Sequence, residues 1–331
     1  MTTTKQGEQD AGNSLPWLLI LCGCLIAMMT FGGRSTMGFF QLPMIEVRGW
    51  DRTTFGLAIA LQNLFWGAGQ PLFGMISDKY GTWRVMALGG VMYALGFYLM
   101  SIAESAWLLH LSGGVLIGLG IAAGSFSIVM AAFARNVPPE KRTIVFGIGT
   151  AAGSAGMAFF SPLAVAMIAN LGWQDTLVWL GILMMFIPLL AIPLVGNAST
   201  SQVSAQEMEQ SVGEALREAL KHHSYLLLVA GFFVCGFQVA FITAHFPAYI
   251  NDIGIDASWA GMALMLIGLF NIFGSLGSGF VAQRHSMPKF LAWIYIGRSI
   301  AVTVFLLLPQ TPTTVVIFAS VMGVLWLSTV P

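Results

Sequence analysis

Ten apolar runs divide this sequence, near 15–40, 53–76, 85–103, 106–134, 143–169, 176–195, 224–250, 258–282, 289–308 and 314–331. A bilayer core takes about 20 residues of helix to cross. Within it no water is at hand for backbone N–H and C=O groups, so runs of this length fold as helices that bond internally. Charged residues are only 8% of the chain, against about a quarter in a soluble domain. The pattern excludes a water-soluble globular fold and predicts an all-α, multi-pass protein of the lipid bilayer. A formal net charge of zero supplies no basic face for nucleic acid.

The few cations set the expected orientation. Lys5, Lys79, Arg84, Arg135, Lys141, Arg142, Arg217, Lys221, Arg284 and Lys289 fall on one side of a ten-span topology, and only Arg48 and Arg52 on the other. Cytoplasmic loops are the ones enriched in Lys and Arg, so the N-terminus is expected in the cytoplasm, with the chain in a plasma membrane (the inner membrane, for a bacterium). Residues 1–14 form a polar tail, and the run that follows continues to Phe40 without a small-residue cleavage site. That is the mark of a retained span, since a signal peptide has a shorter apolar core. The long polar interval at 196–222 is the expected cytoplasmic linker between an N-terminal bundle of six spans (15–195) and a C-terminal bundle (223–331) with four. Cys22, Cys24 and Cys235 all fall inside apolar runs, where thiols behave as small hydrophobes.

Between the second and third runs stands a short charged stretch, Gly74-Met75-Ile76-Ser77-Asp78-Lys79-Tyr80-Gly81-Thr82-Trp83-Arg84. A worn copy between the eighth and ninth, Gly279 to Lys289, keeps the first glycine and two cations. The unit is therefore duplicated, and a second bundle of six would need two further helices, about 60 to 70 residues. Gly74 lets a neighbouring helix come close, Gly81 permits a tight turn with positive φ, and Asp78 can pair with a cation or face a helix N-terminus. The plainer alternative for Asp78 is one solvated loop charge. A glycine, an acid followed by a cation, a second glycine and a closing cation form the signature loop of the major facilitator superfamily, which this sequence resembles from about residue 15 to its end. The resemblance implies two six-helix bundles related by a pseudo-two-fold axis, here truncated after about ten helices. It also implies a latch in Gly74, Asp78, Lys79, Gly81 and Arg84 that shuts the cytoplasmic side against a helix of the opposite bundle. The copy replaces the acid with Gln283 and the second glycine with Ser286, so its latch is expected to be weaker.

Every Asp and Glu can be placed in a tail, a loop or a span end, which leaves basic and amide residues as the polar groups at depth. Arg34 leads them. On a continuous helix it shares a face with Thr30, Gly38 and Gln41, and a charge at that depth faces a cavity or a partner, or else snorkels to the surface. Arg34-Ser35-Thr36-Met37-Gly38-Phe39-Phe40 resembles the first span of the monocarboxylate transporter family, where a lysine holds this place. The resemblance implies that Arg34 binds a substrate carboxylate, and an arginine would hold it bidentately, as suits a hydroxy- or oxo-acid. The family's eighth span carries an Asp and an Arg four residues apart. Here Asn271 and Ser275 stand in their place, which weakens proton symport and points to bacterial relatives such as oxalate-formate exchangers.

The seventh run places Cys235, Gln238, Ile242, His245 and Tyr249 on one helical stripe, and the resemblance to the superfamily, in which spans 1, 4, 7 and 10 line the cavity, implies Gln238 and His245 as substrate or proton contacts; His titrates nearest neutrality. His245, next to Pro247, could equally bond only a backbone carbonyl. Asn63, Gly67, Gln70 and Gly74 share a face of the second run, where Asn63 serves a substrate or, equally, another helix. Arg298, mid-way along the ninth run, is functional by depth or, since the resemblance implies a peripheral ninth span, a buttress of the eighth run. Glycines 113, 114, 118, 120, 124, 147, 149, 153 and 156 mark tight helix packing.

The expected function is secondary transport of a small organic anion, a monocarboxylate above others, by alternating access, with protons or a counter-anion as co-substrate and a monomer as the working unit. The alternatives are an exporter of amphipathic compounds in the same fold and a nutrient sensor that binds without transport. No hydrolase or metalloprotease motif occurs, so no enzyme activity, metal or cofactor is expected.

Overall fold

The computed structural model describes residues 15–195, 217–282 and 286–327, and those residues form ten helical rods. They are α1 (Trp17–Arg48), α2 (Arg52–Tyr80), α3 (Thr82–Ser101), α4 (Ala106–Asn136), α5 (Pro139–Leu171), α6 (Trp173–Leu194), α7 (His223–Asp252), α8 (Ala257–Ala282), α9 (Met287–Leu307) and α10 (Pro312–Leu325). Eight are long and apolar enough to cross a membrane. Of the other two, α10 is short, at 14 residues. The 29-residue α2 has the length but carries the amides Gln62, Asn63 and Gln70. The tail 1–14, residues 196–216 of the linker, Gln283 to His285 and Ser328 to Pro331 lie outside the described residues.

Each predicted run corresponds to one rod, and two internal details differ from expectation. The stretch Gly74 to Arg84 is not an open loop: α2 runs to Tyr80, α3 begins at Thr82, and Gly81 alone turns the chain. Its φ of 95° is open to glycine and closed to most L-residues. The first span is likewise interrupted. Regular helix ends at Ser35, and Met37–Phe40 winds as 3-10 helix before Gln41 resumes the α form. The hydroxyls of Ser35 and Thr36 donate to the carbonyls of Gly32 and Gly33, which draws the turn tight. The shared face expected for Arg34, Gly38 and Gln41 is therefore broken. Gly38 turns to α7 instead, so closely that a β-carbon there would collide with the Thr243 carbonyl.

Packing repeats across the two halves. In the first six rods α2 lies against α4, and α3 against α4; in the last four α8 lies against α10, and α9 against α10. The two halves meet chiefly where α5 packs along α8, with α5 also packed along α1. Small residues make both contacts possible: Gly156 abuts the Met28 backbone, Gly268 the Ser154 carbonyl, and Gly261 Val165. Without those side chains the backbones approach closely enough for dispersion contacts that lipid cannot match. The core of the first half is apolar, with Tyr93 stacked on Phe97 at 5.0 Å, while Phe246, Phe305 and Phe318 form a cluster in the second.

Candidate substrate cavity

Between the two halves lies a cavity of about 790 Å³ lined by α1, α2, α4, α5, α7, α8 and the segment after α10. Arg34 enters it from the last regular turn of α1 before the 3-10 break and is only 9% exposed. Its Nη2 donates to Asn63 Oδ1 at 3.0 Å, and the guanidinium lies over the Trp66 ring at 4.6 Å. Asn63 is held in turn, donating from Nδ2 to the Ile59 carbonyl one turn back. Trp66 Nε1 is buried and has no acceptor. Among the described residues no carboxylate pairs with Arg34; the two ion pairs are Arg52 with Asp252 and Arg135 with Asp78. A cation at this depth is costly, and the amide and the ring offset only part of that.

His245 and Asn271 line the same cavity as Arg34 and Asn63. The His245 ring leans on Phe241 at 5.2 Å. Asn271 is fully buried and serves as a bridge: Nδ2 donates to Ser154 Oγ of α5 at 2.8 Å, and Oδ1 accepts from the Leu327 N–H at 2.9 Å.

Gln238 and Arg298 stand elsewhere, which differs from the expectation that Gln238 meets the substrate alongside His245. Both line a second hollow of about 640 Å³ between α7 and α9, away from Arg34. Seven residues apart, Gln238 and His245 drift by only about 20° around the helix, but they stand about 10 Å apart along it and so meet different neighbours. Arg298 is 2% exposed and fully engaged. It donates to the Leu325 carbonyl at 2.9 and 2.6 Å, to the Trp326 carbonyl, and to Cys235 Sγ at 3.4 Å. It buttresses the end of α10 against α7 rather than the expected α8.

At one end of the molecule Asp78 pairs with Arg135 of α4 at 3.3 Å, and Arg135 also donates to Thr82 Oγ1 at 2.5 Å. The partner belongs to the same half of the molecule, not to the opposite one. Among the described residues none lies within 4 Å of the position a β-carbon of Gly74 would take, so the expected close approach is not made by them in this conformation. Lys79 and Arg84 lie over their neighbours Tyr80 and Trp83.

At the other end a contact that sequence reasoning missed joins the two halves. Arg52, at the start of α2, holds Asp252, at the end of α7, by two bonds of 2.6 and 2.7 Å. Opposite charges at span ends 200 residues apart give no local signal, although Arg52 is one of only two cations expected on that side. Here too Gly38 seats against Thr243 and Ala244, so the cavity is closed between the halves at the Arg52 end.

Two pseudo-symmetric helical halves around a central cavity with a buried cation define a polytopic membrane carrier. A model for the Major Facilitator Superfamily matches residues 20–331, and the chain belongs to that superfamily, whose members are transporters and not enzymes. It is 25% identical over 271 residues to an uncharacterized MFS-type transporter, YcxA, of Bacillus subtilis, covering 81% of this chain and 65% of that protein. It is 24% identical over 323 residues to monocarboxylate transporter 13 of Rattus norvegicus, covering 93% of this chain and 71% of that one. The chain thus spans about two thirds of the length of the curated relatives it matches. Among solved structures, a bacterial homolog of the human lysosomal transporter Spinster, inward-facing and unoccupied, superposes with a TM-score of 0.75 at 18% identity, covering 96% of this chain and 74% of that one. A D-xylose-proton symporter gives 0.64 at 14%, covering 96% and 80%.

Proposed function

We propose that this protein is a secondary transporter of an organic anion, with a monocarboxylate as substrate and Arg34 as its anchor. One observation carries the reading: a buried guanidinium faces the central cavity, oriented by Asn63 and Trp66, with no carboxylate of the described chain against it. A permanent cation in low dielectric is stabilised by an anion that visits. The monocarboxylate transporters among its relatives support the same class. Asn63 lies on α2 and Arg34 on α1, so one turn of each holds the fork ready for a planar carboxylate.

Alternating access follows from the halves rocking about the α5–α8 contact. With the N-terminus in the cytoplasm, the Arg52 end is external and closed, and the Asp78 end is cytoplasmic, so this conformation faces inward. Gly74 meets its partner helix only in the opposite state, and the Asp78–Arg135 pair holds the turn rigid between the two. Among the described residues no carboxylate lines the cavity. Exchange or uniport needs none, and proton coupling falls to His245 or water. The bundle boundaries at 195 and 223 and the monomeric state belong to this proposal.

Uptake of a labelled carboxylate panel into proteoliposomes tests it. Arg34→Ala abolishes uptake, and Arg34→Lys retains part, because an ammonium keeps the charge and loses the bidentate geometry. Wild-type uptake by the alanine variant would remove the anion site. The apolar walls of the cavity favour a second reading, export of amphipathic compounds. Transport that is indifferent to substrate charge selects it. Binding without flux selects a sensor.

A further inference from the structure

The hydrogen-bond donors around the cavity are mostly committed to the protein. Ser35 Oγ donates to the Gly32 carbonyl, Thr150 Oγ1 to Phe146, Ser154 Oγ to Thr150 and Thr243 Oγ1 to Val239. The amides of Asn63 and Asn271 donate to the Ile59 carbonyl and Ser154 Oγ. Apart from the Trp66 indole N–H, which has no acceptor, and the His245 ring, the wall between these groups is carbon and sulfur: Phe31, Phe126, Met157 and Phe241. Phe31 and Phe126 meet edge to face at 6.0 Å and fill one side. Arg34 is the sole Lys or Arg among the lining residues, and one N–H of its fork is used by Asn63.

Resting on the anion reading above, we infer that the substrate is a monocarboxylate with a sizeable apolar body, a medium-length alkyl chain or an aromatic ring, rather than a small hydroxy acid, a dicarboxylate or a sugar acid. A volume of about 790 Å³ falls in the range that encloses drug-sized ligands. A two- or three-carbon acid would occupy a small part of it and leave the aromatic wall facing water. Each hydroxyl carried in would lose water and meet carbon, weakening binding between about fivefold and a hundredfold when unpaired. A second carboxylate would find no second Lys or Arg in the lining. Each methylene laid on the wall strengthens binding instead, by about fourfold.

Titration calorimetry on the full chain in nanodiscs, referenced to empty discs, tests this with acetate, lactate, butanoate, hexanoate, octanoate and phenylacetate, and with octanol as the uncharged control. Dissociation constants should fall about fourfold per methylene from butanoate to octanoate. Phenylacetate should bind well ahead of lactate, and octanol at least about tenfold more weakly than octanoate. Arg34→Met should remove the preference for octanoate over octanol. A flat chain-length series, or lactate binding as tightly as octanoate, overturns the inference and leaves the anion site standing. Octanol equal to octanoate in the wild type overturns the anion site itself, and the inference with it. Binding of no member overturns both.

Discussion

Arg34 and Arg298 are both buried arginines in one membrane domain, and the structure holds them in opposite ways. Arg298 has backbone carbonyls of Leu325 and Trp326 as acceptors and Cys235 Sγ beside it. Arg34 has an amide, a ring and an open cavity. Removing Arg298 leaves buried carbonyls unpaired, each costing about 1–3 kcal/mol. Arg298→Met should therefore lower the thermal unfolding temperature by several degrees while the anion dissociation constant stays within about twofold. A weakened constant at unchanged stability would return Arg298 to the substrate path. Depth alone placed both residues as candidates in the sequence, and depth could not separate them, because the acceptors of Arg298 are main-chain oxygens that no residue type announces. Gln238 was misplaced for a related reason: helical spacing tells which residues share a face, not which neighbour that face meets. Asn63 was legible as an amide in need of a partner, and the partner is Arg34.

At the scale of the helices, the glycines fall into two kinds that look alike in sequence. A β-carbon at Gly156 would collide with the Met28 backbone, and one at Gly268 would stand 2.7 Å from the Ser154 carbonyl, whereas Gly147 and Gly67 have open space. Gly156→Ala must push α1 from α5 and should destabilise by about 1–3 kcal/mol. Gly147→Ala, with no neighbour and a helix propensity gain of about 0.5–1 kcal/mol, should be neutral or stabilising. Denaturation of the two variants side by side checks the contrast, and equal losses would mean that the α1–α5 contact is looser than described. The ten rods were visible beforehand because hydrocarbon leaves the backbone no alternative to helix. The break at Thr36 to Phe40 was not, since Ser35 and Thr36, whose hydroxyls bond the carbonyls of Gly32 and Gly33, are residues that unbroken helices also carry. What stops the α-helix there is tertiary, the seating of Gly38 on the α7 backbone, and this contact joins residues far apart in the chain.

For the molecule as a whole, under the proposed alternating access the two halves part in every cycle, and the Arg52–Asp252 pair ties them by charge. Its side chains are 51% and 41% exposed, so water screens it, and a pair of this kind contributes about 0.2–1 kcal/mol. The larger part of the closure is the packing of Gly38 on Thr243 and Ala244, and the ion pair biases a contact that packing already makes. Arg52→Gln should then shift the population toward the state open at this end by about 1.4- to fivefold, without locking the protein in it. A cysteine at Gly56, whose β-carbon position has only His245 nearby at 3.9 Å, reports the opening through its labelling rate by a membrane-impermeant thiol reagent, with the three native cysteines replaced by serine. The rate should rise by that factor in Arg52→Gln and in Asp252→Asn. It should return toward wild type when Arg52→Asp is combined with Asp252→Arg. In wild type it should approach the variants' rate at about 1 M salt, where the screening length shrinks to about 3 Å. Labelling indifferent to all three changes would leave the closure to packing alone, and a swap that failed to restore it would mean that the two residues act on other partners.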